Sequence, residues 1–387
     1  MIYLDNASTT RIAPEVYYEM GPYLFGQYGN PGSLHTLGQN AKKAVEKARE
    51  QVAHFIGARP EQIIFTSGGT ESNNTAVFSV RDNTRAKHIV TGLSEHDSVL
   101  ESVNRLCINN GFSSTLIGTQ PDGSVSLTDV EAAIRDDTGL VSFMYVNNET
   151  GAENPVEEIG ELCIKKGIPF HTDCVQAASV NKIDVSGIGC AALSLSSHKL
   201  HGPKGVGALY IKSPDLFKPL IAGGSSQEFG LRGGTENVAG IVGFGAACAL
   251  MERDLKEQDI HTSVLKQVLY TRISEGLSAC GLDSIMHLNG DCLLKHGKIL
   301  NVRFDGVDGE TLLLLLDKKG VFVSAGSACR SHEQEPSKTL LAMGVSPEDA
   351  RNSVRISFSK YNTEKEVIEA AEAFVSSVSA LYQWRAR

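Results

Sequence analysis

An α/β fold with a mostly parallel sheet covered on both faces, joined to a smaller α+β unit, is predicted by three observations. Short, continuous apolar runs of strand length recur along the first part of the chain, and helical patterns separate several of them. That βαβ rhythm marks a parallel sheet buried beneath helices. The rhythm changes after about residue 250, where charged helices alternate with fewer strands. Finally, 387 residues exceed one small domain and fit two packed ones.

The elements follow in order. Between Ala41 and Ile56, the residues Ala41, Ala44, Val45, Ala48, Val52 and Phe55 share one stripe, with Lys and Glu opposite, which predicts an amphipathic helix. Gln62-Ile-Ile-Phe65 reads as a short buried strand that enters Thr66-Ser-Gly-Gly-Thr-Glu71 and a helix start. Buried-type strands are expected at Leu140–Val146, Ile168–Thr172, Ala191–Leu195 and Val206–Ile211. Met251–Gln267 reads as a long charged helix, and the absence of Gly and Pro at the junction predicts a continuous helix rather than a linker. Strand Ile299–Phe304, helix Glu310–Lys318, strands Val321–Ser324 and Ser353–Ser359, and a helix from Glu364 complete the second unit. The domains are expected at 15–255 for the large unit and at 1–14 with 256–387 for the small one.

Composition narrows the function classes. A formal charge of −9 and a pI near 5.7 argue against general nucleic-acid binding, which wants a basic face. No apolar run approaches the roughly 18 residues of a membrane span, so no membrane partner is expected. Met1-Ile-Tyr-Leu-Asp5 meets an acid at once, without a basic stretch or an apolar run of signal length, so no targeting segment is expected. The eight cysteines are dispersed with no C-x-x-C pair, which disfavours structural zinc and points to a reducing, cytoplasmic setting.

One constellation carries chemistry. Lys199 lies in the turn Ser196-Ser-His-Lys-Leu-His-Gly-Pro203 after an apolar strand, and Asp173 lies in a similar turn one strand upstream. A lysine amine and a carboxylate so placed suit pyridoxal phosphate (PLP), whose aldehyde forms a Schiff base with lysine and whose ring nitrogen needs an acid partner. Gly68-Gly69-Thr70, between a strand and a helix, is a plausible phosphate cradle, although the same tripeptide also serves as a routine turn. Ser196 and His198 can add phosphate donors, and Gln176 can reach the ring oxygen. His96, just before a helix, can stack on a flat cofactor and move protons; a lone loop histidine is also a common surface residue. Cys329 sits among small polar residues beside Arg330 and His332, a setting that favours a reactive thiolate, while Glu333 and Glu335 oppose it. Arg355, on a strand, can grip a substrate carboxylate through its planar fork or form a surface ion pair.

Together these residues resemble the NifS/IscS-type cysteine desulfurases, of the class-V aminotransferase family and PLP fold type I (aspartate-aminotransferase-like). The likeness spans nearly the whole chain. It rests on Tyr3-Leu-Asp-Asn-Ala-Ser-Thr-Thr10, Tyr28-Gly-Asn-Pro-Gly-Ser33, Gly69-Thr-Glu-Ser-Asn73, Glu95-His96, Val146-Asn-Asn-Glu149, His171-Thr-Asp-Cys-Val-Gln176, Ser197-His-Lys199, Arg232-Gly-Gly-Thr235 and Ser327-Ala-Cys329. The resemblance implies a seven-stranded sheet in the large domain. It implies that Lys199 carries PLP, that Gly69, Thr70, Ser196 and His198 hold its phosphate with Ser197 also binding the cofactor, and that Thr235 reaches the phosphate of a neighbouring subunit in a homodimer. Asn148 and Gln176 would contact the ring oxygen, Asp173 the ring nitrogen, and His96 the ring face. Arg355 and Asn148 would bind the carboxylate of L-cysteine, with Asn30 lining the pocket.

The resemblance also implies a reaction. Lys199 removes the α-proton of L-cysteine, the Cys329 thiolate attacks the substrate sulfur, and L-alanine leaves while a persulfide stays on Cys329. An iron–sulfur scaffold or a tRNA-thiolation protein would then take the sulfur. No resident metal is implied, although Cys329 could transiently ligate an iron–sulfur cluster. The competing readings are another enzyme of the same fold, such as an aminotransferase or a selenocysteine lyase, and a scaffold without catalysis. The Ser-Ala-Cys329 segment separates the first from sulfur transfer, and the intact set Lys199, Asp173, His96 and Cys329 separates the second.

Overall fold

The computed structural model describes residues 1–224, 227–293, 297–325 and 335–385. In chain order its strands are β1 (Ile2–Tyr3), β2 (Ile63–Thr66), β3 (His88–Gly92), β4 (Ser113–Ile117), β5 (Thr138–Ser142), β6 (Phe170–Asp173) and β7 (Ala192–Ser196). There follow β8 (Gly207–Ile211), β9 (Met286–Leu288), β10 (Ile299–Phe304), β11 (Val321–Phe322), β12 (Ser324–Ala325) and β13 (Ser353–Ser357). A seven-stranded sheet has the order β2-β8-β7-β6-β5-β3-β4. Only β8 runs against the rest, since it pairs antiparallel with both β2 and β7. The expectation of a mostly parallel, seven-stranded sheet therefore holds.

The central strands β5, β6 and β7 are buried along their whole length, which is why they read as apolar runs rather than alternating ones. β3 and β4 escaped the sequence reading. β3 begins with a buried His88 bonded to Thr138 and Thr115, and β4 is a largely exposed edge strand, Ser-Ser-Thr-Leu-Ile, with little apolar signal. The run Leu140–Val146 is strand only to Ser142; beyond it, Phe143 and Tyr145 still bond the carbonyls of His171 and Asp173 as the chain bends into the site.

One helix, Val238–Ala279, replaces the expected Met251–Gln267. The continuity across residue 250 is as predicted. Its first part went unseen because it lacks a polar face: Ile241, Phe244, Ala247 and Cys248 are buried, and Gly245 lies so close to the helix Thr36–Phe55 that a Cβ would meet Ala48 Cα at 2.6 Å. Val321–Ser324 is not one strand. β11 pairs with β1, whereas β12 pairs with β13 in the four-stranded sheet β12-β13-β10-β9.

Two large apolar clusters result. One gathers β2, β5–β8 and the start of the long helix. The other gathers Ile2, Leu4, the later part of that helix, β10, β13 and the helix Glu364–Arg385. Among the described residues, no helix is long and apolar enough to cross a membrane.

Candidate active site

The carboxyl ends of β2, β3, β5, β6 and β7 converge on a cavity of about 420 Å³, the edge at which open α/β sheets bind ligands. Its volume lies within the range of cofactor and substrate pockets, roughly 300–1,000 Å³. β2 delivers Gly69 and Thr70, β3 delivers Glu95 and His96, and β5 leads to Asn148 and Glu149. β6 ends on Asp173, and β7 ends on Ser196 before the turn Ser197–Lys199. Arg355 enters from β13 in the other sheet.

Lys199 Nζ donates to the carbonyls of Ala7 and Ser8 at 2.5 and 2.8 Å. Gln176 Nε2 donates to the same Ala7 carbonyl at 2.9 Å, and its Oε1 is buried with no partner among the described residues. Asp173 Oδ1 accepts from the Val175 N–H at 2.9 Å, and Oδ2 accepts from Asn73 Nδ2 at 2.6 Å. Asn73 Nδ2 also donates to Ser98 Oγ, which lies 2.8 Å from His96 Nδ1.

The cradle lies at the start of the helix Gly69–Phe78, where the first N–H groups have no intrahelical partner and the dipole favours an anion. Gly68 has φ +151°, and a Cβ on Gly69 would meet Val175 Cγ2 at 2.7 Å. Across the sheet, a Cβ on Gly207 would meet Gly68 Cα at 2.7 Å, so this glycine lets the cradle rest on β8. His198 borders the same end and bonds Thr9 Oγ1 through Nδ1 at 3.1 Å. Burial, then the charges of Lys199, Lys204 and Lys298, press its pKa down to about 4, so it stays neutral near pH 7.

Arg355 is buried. Its Nη1 donates to the Asn148 carbonyl at 2.9 Å, and its Nη2 donates to Asp5 Oδ1 at 2.9 Å and Ser8 Oγ at 2.6 Å. Its Nε is buried with no partner among the described residues.

The site thus brings together Gly69, Thr70, His96, Asn148, Asp173, Gln176, Ser196, His198, Lys199 and Arg355. Three of the expected residues stand outside the cavity wall. Ser197 is fully buried behind it, while Asn30 and Thr235 are exposed elsewhere on the chain. Cys329 lies outside the described residues.

Sequence reasoning passed over four residues of the site. Asn73 and Ser98 are the bridge just described. Glu95 lines the cavity and is fully buried; burial drives its pKa well above the carboxylate range, and its Oε1 accepts from the Met144 N–H at 2.7 Å. Glu149 also lines the cavity, and burial raises it to about 7 against the opposing influence of Ser337, Arg355 and Thr339. The motifs Glu95-His96 and Asn-Asn-Glu149 were the available signals. The buried Lys298, behind the cavity beside Gln176, is lowered to about 7 by burial and then by Lys199 and Arg355.

Residues 2–369 match the family described as aminotransferase class-V. The chain is 42% identical over 384 residues to the cysteine desulfurase IscS of Methanosarcina thermophila, covering 98% of this chain and 92% of that one. A solved structure titled NifS-like protein superposes with a TM-score of 0.88 at 35% identity, over 99% of both chains. Another, titled SspA in complex with cysteine, gives a TM-score of 0.76 at 32% identity, over 94% of this chain and all of that one.

Proposed function

We propose, from the premise that this chain belongs to the class-V aminotransferase family and within it to the cysteine desulfurases, that it takes sulfur from L-cysteine and holds it as a persulfide on Cys329. The observation that carries this reading is the meeting of Lys199, Asp173 and Arg355 at one cavity. A solved relative carries cysteine by its title, which supports L-cysteine as the substrate.

The residues fit PLP. The glycine cradle at a helix start suits a phosphate, Asp173 offers a carboxylate for a ring nitrogen, and the buried Gln176 Oε1 and Asn73 Oδ1, without a partner among the described residues, are groups a ligand can satisfy. Gly69, Thr70, Ser196 and His198 would hold the phosphate, backed by the buried Ser197; Asp173, Gln176 and Asn148 would orient the ring, and His96 would cover it. When bound, PLP supplies an electron sink for the pair left at the substrate α-carbon.

The chain supplies the rest. Arg355 and Asn148 hold the substrate carboxylate. Lys199 Nζ would hold the cofactor and, released from it, would remove and return the α-proton of the substrate. The Cys329 thiolate forms a bond to the substrate sulfur as the carbon–sulfur bond breaks, with that bond's electron pair passing to carbon. L-Cysteine plus the Cys329 thiol gives L-alanine plus the Cys329 persulfide, so atoms and electrons balance. His96 would donate from its ring N–H at the cavity.

A homodimer completes the reading: Thr235 is exposed, and in a second copy it would reach the partner's phosphate site. The sulfur would pass to an iron–sulfur scaffold or a tRNA-thiolation protein in the cytoplasm; the free, mostly buried cysteines of the described residues support a reducing compartment. The two apolar clusters support a division into 15–255 and 1–14 with 256–387.

The test incubates wild type, Lys199→Ala and Cys329→Ser with L-cysteine and a reductant, and measures sulfide, alanine and the cofactor absorbance. Both variants should stop releasing sulfide, and only Cys329→Ser should keep the chromophore. Full sulfide release by Cys329→Ser would sink the persulfide step.

A further inference from the structure

A line of side-chain hydrogen bonds runs from Asp173 to His96. Asn73 Nδ2 donates to Asp173 Oδ2 at 2.6 Å and to Ser98 Oγ at 2.8 Å. Ser98 Oγ lies 2.8 Å from His96 Nδ1, and the Ser98 backbone N–H donates to that same nitrogen at 3.1 Å. Asn73, Ser98 and Asp173 are all buried, so water does not replace these partners.

Chemistry fixes the direction of each bond. A backbone N–H only donates, so it favours His96 Nδ1 as an acceptor without hydrogen, a preference that the Ser98 hydroxyl strengthens. A carboxylate accepts, which turns the nitrogen end of Asn73 toward Asp173. Ser98 Oγ accepts from Asn73, and its own hydrogen is then free to point at His96 Nδ1. His96 also caps the helix Asp97–Asn110, so its backbone and ring are anchored at the same place. The proton of the neutral ring is therefore left to Nε2.

We infer that Ser98 and Asn73 are positioning residues that set the tautomer of His96, closing Nδ1 as an acceptor and leaving Nε2–H as the ring's hydrogen-bond donor at the cavity. The role of His96 in catalysis rests on the function proposed above; the tautomer does not. One consequence is that the groups holding Asp173 and His96 are shared, because a single amide, Asn73, touches both the carboxylate and the hydroxyl that steadies the histidine. Loss of the Ser98 hydroxyl leaves one Asn73 hydrogen without an acceptor and Nδ1 held by one N–H alone.

Long-range ¹H–¹⁵N spectra of holoenzyme labelled in its histidine rings read this directly, with His96→Gln identifying the signal. Wild type should show the Nε2–H tautomer. Ser98→Ala should show a rise in the Nδ1–H form and a fall of about 10-fold in kcat, the scale of one lost hydrogen bond, with KM within about twofold. Ser98→Thr, which keeps the hydroxyl, should restore both. An Nδ1–H tautomer in wild type, or a wild-type ring spectrum and turnover in Ser98→Ala, would overturn the inference. A wild type without desulfurase activity would fail the functional proposal, while the ring spectrum would still decide the tautomer.

Discussion

Ser337 donates its hydroxyl to Glu149 Oε2 at 2.5 Å, joining positions 188 residues apart. Thr339 adds a second hydroxyl at 3.3 Å to Oε1, and Lys338 lies 3.6 Å from Asp97 beside His96. The stretch by which the chain returns from residues 326–334 is thus fastened to the cavity wall. Pro336 through Thr339 themselves line the cavity.

Glu149 should make stability depend on pH in a specific direction. Burial lifts it from 4.5 to about 7, with Asp97 adding to the rise while Ser337, Arg355 and Thr339 oppose it. Between those two values the native state binds more protons than the unfolded one, so this group's contribution falls as pH rises. Denaturant midpoints measured from pH 4.5 to 8 should show wild type losing stability relative to Glu149→Gln across that window. A difference that does not change with pH would show that Glu149 titrates elsewhere.

Arg355 should govern substrate affinity more than turnover. Its guanidinium is oriented by the Asn148 carbonyl, Asp5 and Ser8. Arg355→Lys keeps the charge and loses the fork, and about 1.5–3 kcal/mol of charge-assisted bonding is at stake. KM for L-cysteine should rise about 10- to 100-fold with kcat changed far less, as read from alanine formation against substrate concentration. An unchanged KM would remove Arg355 from carboxylate binding.

Arg49 should matter to folding alone. It forms a two-pronged pair with Glu228, at 2.9 and 2.8 Å, and both side chains are buried. Glu228 also accepts from the Phe65 N–H at 2.7 Å, while Glu228 and Phe229 adopt φ of +41° and +56°. Arg49→Met strands the carboxylate and should reduce unfolding free energy by about 3–5 kcal/mol. The double variant Arg49→Met with Glu228→Gln should recover part of it. Equal stability of Arg49→Met and wild type, by urea titration, would contradict this account.

Much of the site was legible because its chemistry sits at strand ends. Lys199 and Asp173 follow apolar runs, and a lysine or carboxylate there stands out against the strand before it. Ser98 and Asn73 did not stand out. They are small polar residues, Ser98 at a helix start and Asn73 within a helix, where such residues are routine, and their bridge joins positions 25 and 100 residues apart. The sheet was legible in its buried centre and not at β4, whose exposed edge carries no apolar pattern. The long helix was legible only where one of its faces meets solvent.

The segment from Ile2 to Ser8 is held by late parts of the chain. β1 lies against β11, Asn6 bonds the Ser357 carbonyl at 2.9 Å, and the Ser357 hydroxyl accepts from the Ala7 N–H at 2.8 Å. Yet the Ala7 carbonyl receives both Lys199 and Gln176. The amine that would anchor a cofactor therefore finds its resting place only after residues some 350 positions apart have met. The large sheet can form from nearer neighbours, so during synthesis or refolding it can stand before the lysine is seated. Completion of the surroundings of Lys199 reports that the whole chain has closed on itself.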